Sequence, residues 1–407
     1  MYSAIAGLKA HMTKLNVIGN NVANVNTNSY KSQRAVFRDT MYTMYSGGSN
    51  GTAVMASKNP SQIGYGSQLA SIDLNMVGGN LNPGAPMDCA LTGDGFFLVG
   101  DKDVAGSIGP ANAESFKSLS LTRVGQFRIS PDGYLTDING KCVYGFANVG
   151  EQADGSPIVS DQLVPIRMPR MEQVPVDKDG KEFENEPNKE DIKGWKTVVR
   201  YPVAAMKDEK PATSEALMNK DGLTHVPLQD YQPPKVDDKE QPPLPFAELD
   251  SIGIDPKSGR ISGTLKGGNK MVTIGFLAIG NVTNPNGVTH TGEFYYSCAD
   301  GAGEMSISML GGAEKDLTTV GGGKLSYVNG SLAQKDGDAD DAPALSEKGR
   351  IMTAGATELY GGGYEGSNTD LATEISEMIT TQRGYQANTR IITVTDSMLE
   401  ELVNMKR

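Results

Sequence analysis

The two ends of this 407-residue chain share a pattern that its middle lacks. Near the N-terminus the apolar side chains fall at Ile5, Leu8, Met12, Leu15, Ile18, Val22 and Val25, in steps of 3, 4, 3, 3, 4 and 3. The last 37 residues place Leu371, Ile375, Met378, Tyr385, Ile392, Leu399 and Leu402 in steps of 4, 3, 7, 7, 7 and 3, with Gln382 filling a polar gap. A period near 3.5 lays an apolar seam along one helix face, and such a seam needs a partner. Ser367 stands three residues before Asp370, which predicts a capping box at the start of the last helix. Asp370, Glu374 and Glu377 then put negative charge where the helix dipole favours it. Residues 1–40 carry five basic side chains against Asp39, while residues 365–407 carry seven acidic against four basic. Two amphipathic helices of opposite charge are suited to pack together, within one chain or between chains.

Between the ends the signals are β. Asn-Gly and Asp-Gly pairs recur at 50–51, 94–95, 132–133, 139–140, 154–155, 286–287, 300–301 and 329–330. Short apolar runs such as Phe96-Phe97-Leu98-Val99 and Ile274-Gly275-Phe276-Leu277 separate them, which predicts modules built from hairpins. Residues 171–250 differ, with 29 charged residues and 10 of the 21 prolines. A segment of that composition buries little and is expected to face solvent, although Trp195, Val198, Val199, Tyr201 and Val203 still suggest a strand. The fold expected is mainly β with α-helical termini: elongated, nested β domains beside a coiled-coil-like pair of terminal helices. The predicted division is a helical unit of 1–35 with 365–407, an inner β domain of 36–149 with 271–364, and an outer β domain of 150–270.

Composition removes several classes of function. The net charge of −12 gives no electrostatic case for nucleic acid. No run of 18 apolar residues occurs, so no membrane insertion is expected. Met1 to Ala10 lack a charged segment followed by an apolar block, the mark of a cleaved secretion signal. Cys89, Cys142 and Cys298 are odd in number and show no CxxC, which argues against a zinc ribbon or a disulfide framework.

Four patterns imitate active sites. Gly361, Gly363 and Gly366 match G-x-G-x-x-G, but no βαβ unit can follow so close to the end of the sequence. Gly47, Ser49 and Gly51 match G-x-S-x-G without the strand and helix of a nucleophile elbow. Asp336, Asp338, Asp340 and Glu347 have calcium-loop spacing, but Asp341 stands where the loop needs glycine and Pro343 follows. A calcium-dependent binding module using 336–347 is the alternative of a different class. Acid pairs such as Asp237-Asp238 and Glu400-Glu401 lie in polar stretches, not in the desolvated setting that acid–base chemistry needs. No enzyme activity and no cofactor is expected.

The strongest local signal is Asn-rich. Residues 16–28 hold six asparagines, poor helix formers suited to helix ends and turns, while Ile18, Val22 and Val25 keep the seam. The segment from Gly19 through Asn20, Asn21 and Asn24 to Lys31 closely resembles the N-terminal signature of the bacterial flagellar axial proteins, the rod, hook and hook-junction subunits. Leu91 to Phe97, Leu121 to Phe127 and Asp132 to Leu135 resemble that family's β elements. Glu365 to Leu371 and Thr381 to Asn388, with Gln382 and Asn388, resemble its C-terminal signature. Gly280 to Gly287 looks like the return from an inserted outer domain, and an insertion at about 150–270 implies the hook branch rather than a distal-rod or junction subunit. Residues 304–355 are longer than the family pattern, and 171–250 match none of it.

The resemblance implies a tubular homopolymer that joins rotary rod to filament and transmits torque, held together by the terminal seams. It implies contacts with the rod, the hook cap, the hook–filament junction and the flagellar type-III export apparatus, and a place outside the cell in the hook and basal body. Gly47, Gly48 and Gly51, with Gly361, Gly362 and Gly363, are expected hinges between the helices and the β shell.

Overall fold

The structure is a computed structural model. It describes residues 2–405 except 52–54, 103–118, 161–162, 177–193, 209, 218–221, 232–242, 257, 267–269, 299, 304, 310–316, 320–323, 329–330 and 336–357. The chain is mainly β with a helix at each end, as the patterning predicts. It forms two compact units, one of residues 1–80 with 366–407 and one of residues 81–365. The helices are α1 (Tyr2–Ala23), the short α2 (Ser214–Leu217) and α3 (Leu371–Met405). No helix among the described residues is long and apolar enough to cross a membrane.

In the first unit α1 and α3 lie antiparallel, since Gly7 meets Asn388, His11 meets Gly384, and Lys14 pairs with Glu377. The last helix starts on Asp370, not on Ser367. The Asp370 carboxylate accepts from Ala372 N (3.1 Å) and Thr373 Oγ1 (2.6 Å), and these bonds, the Thr373 one foremost, hold its pKa below the usual range. Ser367 instead bonds Thr369, so the capping box is replaced by a carboxylate cap nearer the helix. α1 stops at Ala23, short of Val25. The asparagines after it carry the chain through tight turns, with Thr27 N donating to Asn24 O and Tyr30 N to Thr27 O.

This unit extends past the helices. Strand Gln33–Asp39 pairs antiparallel with Ser67–Leu74, and Tyr42–Ser46 pairs with Ser61–Gly64. The first ribbon packs on α1. Gly66, with φ +109°, permits this approach, because a side chain there would strike Ser3 and Ala6. The expected border at residue 35 therefore lies inside a continuous packed layer that runs on to Asn80.

The second unit centres on Met271–Val282, buried at every position after Met271. It pairs with Phe96–Gly100, Cys142–Glu151, Arg260–Leu265 and Met305–Met309. Phe97, Val143, Ile166, Met168, Ile254, Ile261, Leu277 and Ile279 share its core. The turn Gly93-Asp94-Gly95 needs its glycines at φ +99° and +129°. Buried Arg123 closes on it, donating to Gly95 O and Gly93 O at 2.7 Å each. Two of the family-like segments noted above are thus parts of one clamp.

The charged middle is smaller than 150–270. Pro157–Val159, Val164–Pro165, Leu249–Ile254 and Arg260–Leu265 all belong to the large sheet. The described residues of 170–246 leave it, as a ribbon of Arg170–Val176 with Gly194–Arg200 and a small sheet of Val203–Lys207, Lys210–Pro211 and Thr224–Gln229. Ala205 and Leu217 from this excursion close a small core with Val149 and Ile158. Cys89 and Cys142 are buried thiols and Cys298 is a half-buried one, and none of the three is in a disulfide.

Candidate functional site

The α1–α3 contact does not run along the predicted apolar rows. Its contacts join Gly7, His11, Lys14 and Asn21 of α1 to Asn388, Gly384, Glu377 and Glu374 of α3, and the buried Ala4 and Ile18 on α1 and Thr381 on α3 fall in the same rows. Both sets step by 3 and 4 residues, so the heptad logic holds for a row one position removed. Small residues admit polar ones. A Cβ on Gly7 would lie 2.7 Å from Asn388 Nδ2, and one on Gly384 would lie 2.9 Å from the His11 ring. Lys14 Nζ meets Glu377 Oε2 at 2.9 Å in a half-exposed pair, worth little by itself.

The predicted rows face outward beside this seam. On α1, Ile5 and Met12 are exposed, Leu8, Leu15 and Val22 are half-buried, and only Ile18 is buried; Val25, just beyond the helix, is half-buried. On α3, Leu371, Ile375, Leu399 and Leu402 are exposed, while Met378, Tyr385 and Ile392 are half-buried. Gly7 faces Asn388, so three residues further on Ala4 reaches the level of Ile391 and α1 is nearly spent. The last turns of α3 extend past it with Val394, Met398, Leu399, Leu402, Val403 and Met405 all exposed. That is a large apolar surface for one helix end, of the kind that marks an interaction site.

The asparagine signature acts as a clasp. Asn21 is 1% exposed and uses its whole amide. Its Nδ2 donates to Gln33 O (2.8 Å) and Glu374 Oε1 (2.9 Å), and its Oδ1 accepts from Gln33 N (2.9 Å) and Tyr30 Oη (3.1 Å). One side chain joins the end of α1, the start of the ribbon and the start of α3. Asn20 donates to Tyr30 Oη, and Asn24 bonds back to Asn20. Burial first, and then the Glu374 charge, push the Tyr30 hydroxyl up to about 12. Burial raises the Glu374 carboxyl above its ordinary value, against the Asn21 bond that favours its charge. A second clasp was not singled out in the sequence. Asn368 Oδ1 accepts from Ser32 N (2.7 Å), and its Nδ2 donates to Asn75 O (2.8 Å) and Val77 O (2.9 Å). Buried Lys31 donates to the same Val77 carbonyl. Gln382 is exposed, and Asn388 is the residue that fills the space at Gly7.

The expected hinge glycines have definite places. Gly361 and Gly363 lie in strands paired with Cys89–Thr92 and Leu81–Pro83. Gly362 N donates to Asp88 O, and Gly84 N to Gly362 O. All three belong to the second unit, whose border falls after Glu365. Gly48 and Gly51 pack against residues 55–60 across the other ribbon, while the Cα of Gly47 faces open space. Ser49 pairs with Lys58 there, not on a strand-to-helix elbow. The acidic stretch 336–347 and the pair Asp237-Asp238 lie outside the described residues. Among the described residues no group of three His, Cys, Asp or Glu side chains is placed to hold a metal.

Family models match both ends of the chain. Residues 1–31 match "Flagella basal body rod protein", and residues 361–405 match "Flagellar basal body rod FlgEFG protein C-terminal". The chain is similar to the flagellar hook protein FlgE of Borreliella burgdorferi, 26% identical over 100% of this chain and 99% of that one. It is 23% identical to FlgE of Escherichia coli over 99% of both chains. It is also 25% identical to the basal-body rod protein FlgG of Bacillus subtilis, over 100% of this chain and 98% of that one. The asparagine clasp lies in the first matched segment and its Glu374 partner in the second, and with relatives alike over their whole length the chain belongs to the bacterial flagellar hook and rod family.

Proposed function

We infer that this chain is a structural subunit of the bacterial flagellar hook, a curved tube of many copies that carries torque from rod to filament. One observation carries the reading. The two terminal helices meet along a small, polar seam and turn their apolar rows outward, where a second copy can cover them. An open tube needs two different patches on each subunit, because head-to-tail contacts propagate while self-complementary ones stop at a dimer. The outward row of α1 and the overhanging end of α3 are two such patches, flanked by the basic Lys9 on one and the acidic Asp396, Glu400 and Glu401 on the other. Full-length similarity to FlgE chains supports the hook within the family.

The helical unit supplies adhesion between subunits, and the β unit supplies looser polar contacts that slide as the tube bends. The hook lies outside the cell, its subunits pass through the flagellar type-III export apparatus, and the rod, the hook cap and the filament junction are its neighbours. Rod placement is the competing reading, favoured by the full-length match to FlgG. Immunogold labelling of isolated flagella with antibody to the excursion 170–246 separates the two. Label along the curved hook is expected, and label confined to the rod overturns the assignment.

A further inference from the structure

The base of the excursion's ribbon holds an electrostatic conflict. Arg170 and Arg200 stand directly opposite each other in the strand register. Like charges so placed oppose pairing. The next segment of the excursion answers them. Asp230 Oδ2 accepts from Arg170 Nη2 and from Arg167 Nη2, both at 2.6 Å. The Arg200 guanidinium lies 5.3 Å over the Tyr231 ring, and its Nε donates to Glu172 at 2.6 Å. Arg170 also lies 4.1 Å over Phe246, and Arg167 lies 4.5 Å over Tyr134. Arg170 Nη1 donates to Leu244 O. One carboxylate, with its side chain 15% exposed, thus serves two arginines that are themselves mostly buried.

This arrangement is poor as a source of stability. The Nε atoms of Arg167 and Arg170 are buried and make no hydrogen bond. An apolar cluster of the same volume would hold the base at least as firmly. What the charges add is position. The arginines come from the strand leaving the core and from the far strand of the ribbon, and Asp230 and Tyr231 follow directly on the last strand of the small sheet.

We propose that Asp230 and Tyr231 form a latch that sets the angle of the ribbon strands Arg170–Val176 and Gly194–Arg200 on the inner sheet. With the latch closed, ribbon, small sheet and core move as one body. With Asp230 neutralised, Arg167, Arg170 and Arg200 repel at the base and the ribbon swings. The ribbon is a lever: Trp195 pairs with Pro175, five positions from the base, about 17 Å along the strand. Trp195 is the chain's only tryptophan and is 66% exposed, so it reports tilt at the base without a label. The latch does not rest on the polymer reading.

The test is the time-resolved fluorescence anisotropy of Trp195 in the dilute full chain. In Asp230→Asn the amplitude of the nanosecond component is expected to rise about twofold or more, as expected of a segment freed from its packing. Asp154→Asn, which neutralises an exposed turn carboxylate bonded to Ser156 and coupled to no arginine of the latch, is the control and is expected to leave the decay unchanged. Tyr231→Ala leaves every charge paired, so it keeps the test open where Asp230→Asn does not fold; a smaller rise is expected from it. Decays of folded Asp230→Asn or of Tyr231→Ala that match the unmodified chain overturn the latch. So does an equal rise in Asp154→Asn.

Discussion

Along Met271–Val282 every side chain after the first is buried, whereas α3, with 35 residues, buries only Thr381. The strand is paired on both sides and packed with Phe97, Val143, Ile166 and their neighbours, so its apolar demand is met inside one chain. The helix carries a comparable demand in Leu371, Ile375, Leu399 and Leu402 and leaves it unmet. The contrast shows how one chain can be both a stable body and an incomplete one. The sheet completes its core within the chain, and the helices leave theirs exposed. Terminal helices held by a polar seam also part more easily than a sheet core.

The hardest break of this comparison is Leu399→Asp. Burying a leucine in a subunit contact is worth about 1.5–3 kcal/mol, and a buried carboxylate without a partner adds several more in cost. Because Leu399 is 48% exposed in the single chain, thermal unfolding is expected to stay unchanged while tubes seen by electron microscopy disappear. Normal tubes from this variant would remove α3 from the polymer contact. Phe97→Ala is the mirror experiment. Its ring is fully buried against Phe127, and its loss is expected to cost about 3–5 kcal/mol in denaturant unfolding of the subunit, with the terminal seams untouched.

A smaller effect sharpens the comparison. Asn21→Leu fills the same space and strands the Gln33 amide, the Tyr30 hydroxyl and the Glu374 carboxylate. The expected cost is about 1–3 kcal/mol, read as a lowered urea midpoint for helical circular dichroism while Trp195 fluorescence keeps its own midpoint. The smallest effect is the pH response of Glu374. Its carboxyl is raised in the folded chain, chiefly by burial, so the native state binds its proton more readily than the unfolded chain does. Its contribution to stability therefore grows as pH falls into its titration range and is lost as pH rises above it. Asp370, held low by Thr373, works the other way, losing stability as pH falls. Glu374→Gln keeps an acceptor for Asn21 and is expected to raise the neutral-pH midpoint slightly and flatten its rise between neutrality and pH 5. A steeper rise in the variant would show that Glu374 is not the group responsible.

Local pattern was enough for the helices and for the β character between them, because period 3.5 and Asn-Gly or Asp-Gly turns are properties of neighbouring residues. The same reasoning misplaced the cap. Ser367 matched a capping box, but Asp370 stands at the helix start and presents a full negative charge to its free N–H groups. It also took 150–270 as separable. Ile166, Met168, Ile254 and Ile261 read as unremarkable apolar residues in sequence, yet they complete the main core.

Apolar helical ends, a β middle and the signatures of an axial protein can all be read along the chain, since each is written in short-range spacing. Only the tertiary structure decided which face of each helix is used within the chain. Asn21 and Glu374 are 353 positions apart, and Gly7 receives Asn388 from the other terminus. Such pairings depend on where small residues let two helices come close and on whether every buried amide and carboxylate finds a partner. Periodicity sets the number of faces and their apolarity, but close approach and hydrogen-bond satisfaction choose among them, and both exist only once distant parts of the chain have met.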